Sequence, residues 1–449
     1  MYKFILASRY LLKRRIAYLA VLAVALCAFT VLVVMTVMTG LLRDFKIKNH
    51  QWVGDCVIST DSLVGFPHYE EFMSILQDQD FVDAVSPVIK SYALLTFERS
   101  DYNENVEIMG IDAKRHCTTT GFAESLHYHR ADCSKAFEPI YDADLPGAVL
   151  GLNLFVPRED FDSFRQRVDT PRFSFVVNCF PLTAKGALAR AGLGLVNTKT
   201  FYFSDDSLTG LAKVDGAFAY LPFEDAQQLC GMGGEQKRTS AIYIKFAQDV
   251  KLDRGCRKVD SLWQRFIKSK KDSPLAGLLD NVTVESWKGY RRETIAAMEK
   301  EQVMMMVVFA MIALITVFIV FVVFYMIVTH KSKDIGILKS VGVSNPNVIK
   351  LFLGFAFLVG FFGAGAGMFF GWLFLRKINR IEDWLFHKFD FQLWDRSLYA
   401  IGDIPNAIDL KVLAVIMLAA IAACLLGGLF PSWRAAKLPP AKTLQVNQL

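Results

Sequence analysis

Residues 303–329 read VMMMVVFAMIALITVFIVFVVFYMIVT, with no charged side chain. An α-helix rises about 1.5 Å per residue, so about 20 apolar residues cross a ~30 Å hydrocarbon core. A core helix of a soluble protein rarely runs this far without a charge. Three further runs, Ile16 to Leu42, Leu351 to Leu375 and Val412 to Phe430, are also uncharged. The sequence therefore predicts four membrane spans. The composition agrees. The 449 residues are 53% hydrophobic and 21% charged, with a mean hydropathy of +0.31. That is too apolar for an ordinary soluble enzyme or a disordered chain. The net charge of +6 sits beside the apolar runs, which argues against nucleic acid as a partner.

The first run is longer than the ~7–15 residues of a signal-peptide core, and no small-x-small site follows it. Val24-Ala25-Leu26-Cys27 loosely resembles a lipoprotein cleavage box, but Leu26 is too large and the apolar run continues past it. Orientation follows from the short flanks. Residues 1–15 carry Lys3, Arg9, Lys13, Arg14 and Arg15 and no acid. The 330–350 loop carries Lys331, Lys333, Lys339 and Lys350 against Asp334, and the tail carries Arg434, Lys437 and Lys442. The 376–411 loop is balanced, which leaves the long 43–302 segment net acidic. The positive-inside rule then places both termini and the 330–350 loop in the cytoplasm. Residues 1–15, with Tyr2, Phe4, Ile5, Tyr10 and Leu11 among the basic residues, are expected to lie as an interfacial helix on anionic lipid.

The expected fold is four transmembrane α-helices with a large α+β extracytoplasmic domain inserted between helices one and two. In order, the chain divides into an interfacial helix (1–15), span one (16–42), the outer domain with stalk ends (43–302) and span two (303–329). A cytoplasmic loop (330–350), span three (351–375), an outer loop (376–411), span four (412–430) and a cytoplasmic tail (431–449) follow. Strand-like runs recur in the insert at 55–60, 84–99, 106–112, 172–180, 200–204, 217–221, 240–246 and 281–286. Helices are predicted at 69–79, 222–230 and 252–268. This mixture argues for an α+β insert of two subdomains. The segment from Trp287 to Gln302, and the chain beyond Leu41, continue as good helix formers, so spans one and two are expected to project outward as a stalk.

Six cysteines fall in the insert: Cys56, Cys117, Cys133, Cys179, Cys230 and Cys256. In an oxidising space they allow up to three bridges and 15 connectivities. Cys117 with Cys133 is the favoured pair, against free buried thiols. His116, Cys117, His127, His129 and Cys133 are zinc-type ligands, but their spacing matches no standard site and no metal is expected. The sequence lacks a P-loop, H-E-x-x-H, G-x-S-x-G and paired C-x-x-C motifs. No catalytic residue is expected, and the chain binds no cofactor of its own. The spans carry no ionisable residue, which argues against a transporter with midplane proton relays. An energised role needs a partner.

The 330–350 loop contains Lys333, Asp334, Ile335, Gly336, Ile337, Leu338, Lys339, Val341 and Gly342. Asp334 is expected to begin a short helix with Ile335, Leu338 and Val341 on one face. Such an apolar knob suits a groove on a cytoplasmic partner; a helix lying in the membrane interface is the alternative. Span three carries Gly363, Gly367 and Gly371, whose missing side chains let helix backbones approach, within the chain or in a dimer. Met35, Val37, Met38 and Leu41 near the outer end of span one could line a cleft for acyl chains or simply face lipid.

Lys331 to Ser344 resembles the coupling segment of ABC permeases of the LolC/LolE, MacB and FtsX superfamily, with its E/D-I-G-I-L-K/R-x-x-G core. Pro431 to Ala441 resembles the same superfamily's P-A-x-x-A-A-x-x-x-P ending, with Ser432 in place of Ala. One span, a large insert and three further spans is also that layout. Thr36-Val-Met-Thr-Gly40 is similar to the S-V-M-N-G motif of the lipoprotein-releasing branch. Similarities at Glu107 to Asp112, Gly147 to Phe155, Leu221 to Leu229, Trp287 and Glu301 to Met306 point to the same branch. The stretch from Arg158 to Gly194 departs from it. The resemblance implies a permease subunit of an ABC transporter that extracts lipoproteins from the bacterial inner membrane and passes them to a periplasmic carrier (LolA-like). It implies a separate ATPase (LolD-like) that binds ATP and Mg, and a second permease chain, either identical or a paralogue. It also implies a periplasmic insert and force delivered through Ile335 to Gly342. A MacB-like exporter of peptides or amphiphiles, and an FtsX-like scaffold controlling a cell-wall hydrolase, are the alternatives.

Overall fold

A computed structural model describes residues 15–98, 103–156, 164–165, 170–188, 196–234, 237–330, 332–389 and 404–437. The interfacial helix expected over 1–15 falls outside these residues except for Arg15, as do 390–403 of the outer loop and 438–449 of the tail. The described chain separates into two compact units. One holds the chain up to Arg43 and from Ala296 onward, and the other holds Asp44–Ile295.

The helices of seven residues or more are α1 (Arg15–Val53), α2 (Tyr69–Gln77), α3 (Ala113–Thr119), α4 (Phe223–Leu229), α5 (Leu252–Ser269), α6 (Arg292–His330), α7 (Ser332–Ser340), α8 (Asn345–Phe389) and α9 (Leu410–Lys437). Four of them, α1, α6, α8 and α9, are long and apolar enough to cross a membrane. Each uncharged run is the middle of a longer helix. The 39 residues of α1 and of α6 correspond to about 58 Å each, about twice the hydrocarbon thickness. Helix α8 continues through Arg376 to Phe389, so the first part of the expected 376–411 loop is helical. Those residues are good helix formers without Gly or Pro, and a charge at the water boundary does not end a helix. Helix α9 likewise passes through Pro431, where the tail was expected to begin, and Ser432 Oγ donates to the Gly428 carbonyl at 2.5 Å.

Within the bundle unit, the close contacts are made by small residues. A Cβ on Gly363 would lie 2.8 Å from Val24 Cβ, and one on Gly371 would lie 2.9 Å from Leu32 Cδ2. A Cβ on Gly367 would collide with the Ala25 carbonyl oxygen. The glycine stripe of α8 therefore seats α1 of the same chain. On α9, Gly427 faces the Val317 carbonyl at 2.8 Å and Gly428 faces Ala356 Cβ at 3.0 Å in the same sense.

The second unit holds the strands β1 (Cys56–Thr60), β2 (Phe66–Pro67), β3 (Val82–Phe97), β4 (Asn103–Ile111), β5 (Gly147–Gly151), β6 (Ser174–Cys179), β7 (Asn197–Ser207), β8 (Phe218–Pro222), β9 (Arg238–Thr239), β10 (Ala241–Phe246) and β11 (Val282–Ser286). Strand β3 organises it. Its Val82–Val88 half pairs with β10, which continues the open antiparallel sheet β11-β1-β10-β3. Its later half pairs with β4 on one side and, from Ala93 to Phe97, with β6 on the other. The order β3-β4-β8-β5-β7-β6 thus returns to β3 and closes a six-stranded barrel. Period-2 alternation fills its interior: Ala93 and Leu95, Val106 and Ile108, Ala148 and Leu150, Phe175 and Val177, Phe201 and Phe203, Ala219 and Leu221. The open sheet buries Ile58, Val85, Ile242 and Ile244 against Phe72 and Leu76 of α2 and Val259, Trp263 and Phe266 of α5. Trp263 is fully buried, with its ring centroid 4.7 Å from Phe72.

Candidate functional site

Helix α7 is the short helix of the 330–350 loop. The apolar knob expected from Ile335, Leu338 and Val341 is not one face. Ile335 is 2% exposed and packs into the bundle with Val348, Phe352, Ala435 and Ala436, and Gly336 is buried beside it. Both sides of this helix are apolar, so spacing alone could not say which one packs inward. The outward apolar pair is Ile337, 52% exposed, and Val341, 80% exposed. Lys339 Nζ donates to the Ala436 carbonyl at 2.8 Å, satisfying an acceptor in the last turn of α9. The side chains of Lys333, Asp334 and Leu338 lie outside the described residues. Gly342 ends the helix at φ +97°, and its N–H donates to the Lys339 carbonyl at 3.0 Å. That conformation favours glycine. The result is a short helix tied to the bundle on one side, with an aliphatic pair exposed on the other.

A second feature lies in the same unit. One face each of α1, α6 and α9 surrounds a cavity of about 540 Å³. Val24, Cys27, Ala28, Val31 and Met35 line it from α1. Met306, Phe309, Ala310, Ala313 and Thr316 line it from α6, and Val412, Val415, Ile416, Ala419, Ala420 and Ala423 from α9. The volume falls within the range of small-molecule and lipid sites, roughly 300–1,000 Å³. Its wall is almost wholly apolar, and Thr316 spends its hydroxyl on the Ile312 carbonyl at 2.9 Å. Lys411, at the start of α9, also lines it.

Of the four residues expected to line a cleft, only Met35 does so. Val37 packs against the cluster around Leu32 and Ile416, and Leu41 is 2% exposed. Met38 is half-buried and is not in the cavity wall. Small residues at helical spacing also line the cavity: Ala310 and Ala313 on α6, and Ala419, Ala420 and Ala423 on α9. They make the room that larger side chains would fill.

Within the α+β unit, the last turn of α1 and the residues leading into α6 meet at one place. His50 Nε2 meets Asp55 Oδ1 at 2.7 Å, and the His50 ring stacks on Trp287 at 4.9 Å. Asp55 Oδ2 accepts from the Phe246 N–H at 2.8 Å, and the Trp287 N–H donates to the Asp55 carbonyl at 3.0 Å. Burial would raise the Asp55 carboxyl, but the His50 and Phe246 hydrogen bonds outweigh it and hold the group below the usual carboxylate range. Arg291 Nε donates to Asn49 Oδ1 at 2.7 Å, and its guanidinium lies 4.7 Å from the Trp52 ring. Trp52 Nε1 donates to the Tyr220 hydroxyl at 3.1 Å, and Lys90 packs over Tyr290 at 4.6 Å. These bonds fasten the last turn of α1 and the approach to α6 onto one sheet.

The zinc-type residues serve other ends. Cys117 and Cys133 form a disulfide, with their Cα atoms 6.4 Å apart. His116 is fully buried, which together with nearby Lys90 pushes its pKa down to about 3 and keeps the ring neutral. Its Nδ1 lies 3.2 Å from Ser86 Oγ. His129 Nδ1 lies 3.2 Å from Asp205, whose carboxylate also accepts the backbone N–H groups of residues 127–129. Among the described residues, no group of three or more His, Cys, Asp or Glu is arranged to hold a metal ion.

Residues 306–440 match the family described as FtsX-like permease C-terminal. This stretch contains most of α6 and all of α7, α8 and α9. The chain is similar to the lipoprotein-releasing system transmembrane protein LolC of Neisseria meningitidis, 26% identical over 264 residues, covering 59% of each protein. LolC of Xylella fastidiosa is 25% identical over 248 residues, covering 55% of each. LolE of Haemophilus influenzae is 26% identical over 122 residues, covering 26% of this chain and 29% of that protein. The chain thus matches under two thirds of the length of these relatives. Among solved structures, the periplasmic region of MacB from Actinobacillus actinomycetemcomitans aligns with 54% of this chain and 94% of its own, at 12% identity and a TM-score of 0.31.

Proposed function

We propose that this chain is the permease subunit of an ABC transporter that extracts lipoproteins from the bacterial inner membrane and passes them to a periplasmic carrier. The observation that carries this reading is the apolar cavity among α1, α6 and α9. It opens between helices and suits acyl chains, and it lies in the unit that contains the FtsX-like match. A separate ATPase subunit binds ATP and Mg and presses on the exposed Ile337–Val341 edge. Ile335 and the Lys339–Ala436 bond carry that push into α8 and α9. The basic short flanks support cytoplasmic termini and a periplasmic Asp44–Ile295 unit. The bonds around Asp55 and Arg291 tie the last turn of α1 and the residues leading into α6 to the sheet of that unit, which supports these helices as the path of force. A second permease chain, identical or a paralogue, completes the transporter. The chain is a lever and a lipid cradle, and hydrolysis belongs to its partner.

The test is release of a labelled triacylated lipoprotein from proteoliposomes containing this chain, its co-purifying ATPase and a periplasmic carrier. Release should require ATP and should be lost with Val341→Asp while the complex still assembles in detergent. Ala420→Trp, which fills the cavity, should abolish release while leaving basal ATP hydrolysis. ATP hydrolysis that ignores lipoprotein, with no release, would overturn the lipoprotein reading. It would favour a MacB-like exporter or an FtsX-like scaffold.

A further inference from the structure

Six of the eight cysteines lie in the Asp44–Ile295 unit, and Cys117 with Cys133 accounts for two of them. The other four stand as free thiols in two neighbouring pairs, with none left over. Cys56 on β1 is fully buried, and Cys256 on α5 is half-buried in the same packed cluster. The thiols are neighbours in this cluster, and their mutual influence raises the Cys56 pKa and lowers that of Cys256. Cys179 ends β6 and Cys230 closes α4, and both are buried in the barrel core. The Cys179 pKa is likewise raised and that of Cys230 lowered by the neighbouring thiol. Two backbone bonds hold these segments side by side: the Leu182 N–H donates to the Cys230 carbonyl at 3.2 Å, and Asn197 Nδ2 donates to the Leu229 carbonyl at 3.0 Å. Asn197 is the register partner of Cys179 across β6 and β7. Of 15 ways to pair six cysteines, this one joins each to the cysteine in its own packed cluster.

We propose that Cys56–Cys256 and Cys179–Cys230 are disulfide bonds in the working protein, so that three bridges staple this unit. The proposal rests on the reading that places the unit outside the cytoplasm, where disulfides persist. The oxidant is the disulfide of a thiol–disulfide oxidoreductase. A cysteine thiolate attacks one sulfur of that disulfide and forms a mixed disulfide, releasing the other oxidant sulfur as a thiolate. The second cysteine of the pair then attacks the mixed disulfide, forming the protein bridge and expelling the oxidant as a dithiol. Two protons and two electrons leave each cysteine pair, and the oxidant gains them.

Exposure sets the order. Cys256 is partly exposed and the neighbouring Cys56 thiol lowers its pKa, whereas Cys56 is buried, so Cys256 attacks first and Cys56 resolves. Both members of the barrel pair are buried, so that bridge forms before the barrel closes. The Cys56 bridge ties the strand that follows α1, after only Gly54 and Asp55, to α5 across the open sheet. The Cys179 bridge fixes the end of β6, the strand whose pairing with β3 closes the barrel.

The test uses full-length chain purified in detergent from acid-quenched cells, alkylated with N-ethylmaleimide and weighed intact. Denatured without reductant, it should take up two labels, on Cys27 of α1 and Cys424 of α9, and eight after reduction. Non-reducing peptide maps should contain the 56–256 and 179–230 cross-links. Mild reductant on the native protein should open 56–256 first and leave 179–230 closed. Six labels, with only 117–133 bridged, would overturn the proposal and leave the outward placement standing. Eight labels would overturn the outward placement as well. Cross-links between other partners would overturn the pairing.

Discussion

The bundle and the α+β unit are held together by different physics. In the bundle, apolar side chains gain little by leaving lipid for protein, so close backbone approach at Gly363, Gly367, Gly371 and Gly427 does the fastening. Where alanines line α6 and α9 without a partner filling the space, a cavity remains. In the α+β unit, water drives burial, and large rings such as Trp263, Phe72, Phe201 and Phe203 fill the core. Buried charged groups there are held by hydrogen bonds, as at Arg238 and Asp215. Small residues thus make structure in one unit, and large ones make it in the other.

The comparison can be broken by changes that should act on one unit only, read by hydrogen exchange over the whole chain. Trp263→Ala removes the centre of the open-sheet core and should cost about 3–5 kcal/mol. Protection should fall in β1, β10, β11 and α2 and hold in α8 and α9. Loss across both units would show that their stabilities are not separate. Acid should come next. The unfolded chain takes up a proton on His116 below its ordinary pKa of 6.5, while the folded ring refuses it down to about 3. Stability of the α+β unit should therefore fall as pH drops through that window, by about 1.4 kcal/mol per pH unit. A melting series from pH 7 to 5 should show this slope, and His116→Gln should flatten it.

Gly367→Val drives a side chain into the Ala25 carbonyl and Ala28 and should cost about 1–3 kcal/mol in the bundle alone. Titration with a denaturing detergent, read at α8, measures that loss. Ala in place of Gly367 would be milder but of the same sign. The smallest effect is expected at Gly342→Ala. A Cβ there meets nothing within 4 Å, so the cost is backbone strain at φ +97°, about 1–2 kcal/mol. Exchange should quicken over residues 332–344 and nowhere else.

The two units also differed in how plainly the sequence exposed them. Absence of charge marked the four spans, because a hydrocarbon environment penalises every exception. It could not mark their ends, since α1 and α8 run on through charged residues that remain good helix formers. In the insert, alternating or β-rich runs revealed β3, β4, β6 and β10; β6 alternates between buried and half-buried positions, whereas β10 is buried on both faces and shows only as a β-rich run. The barrel was not legible. It depends on β3 pairing with β6 as well as with its neighbour β4, and β6 lies far along the chain. Strand β5, Gly147–Gly151, is buried at every position and so has no alternation to read. For the loop, composition located α7 but spacing put Ile335 on the wrong side. For the cavity, the bulky Met and Val residues of span one pointed to Met35, while the space comes from alanines, which in a span read equally well as close-packing positions.

The central claim is that the α1–α6–α9 cavity holds the acyl chains of a lipoprotein. A photo-crosslinking residue at Ala313, inside the cavity, and another at Leu418, 68% exposed on α9, test it directly. In membranes containing the assembled transporter and a labelled triacylated lipoprotein, Ala313 should capture the lipoprotein and Leu418 should not. ATP with the carrier should abolish the capture. Equal capture at both positions, or capture at Ala313 that ATP leaves unchanged, would contradict the account.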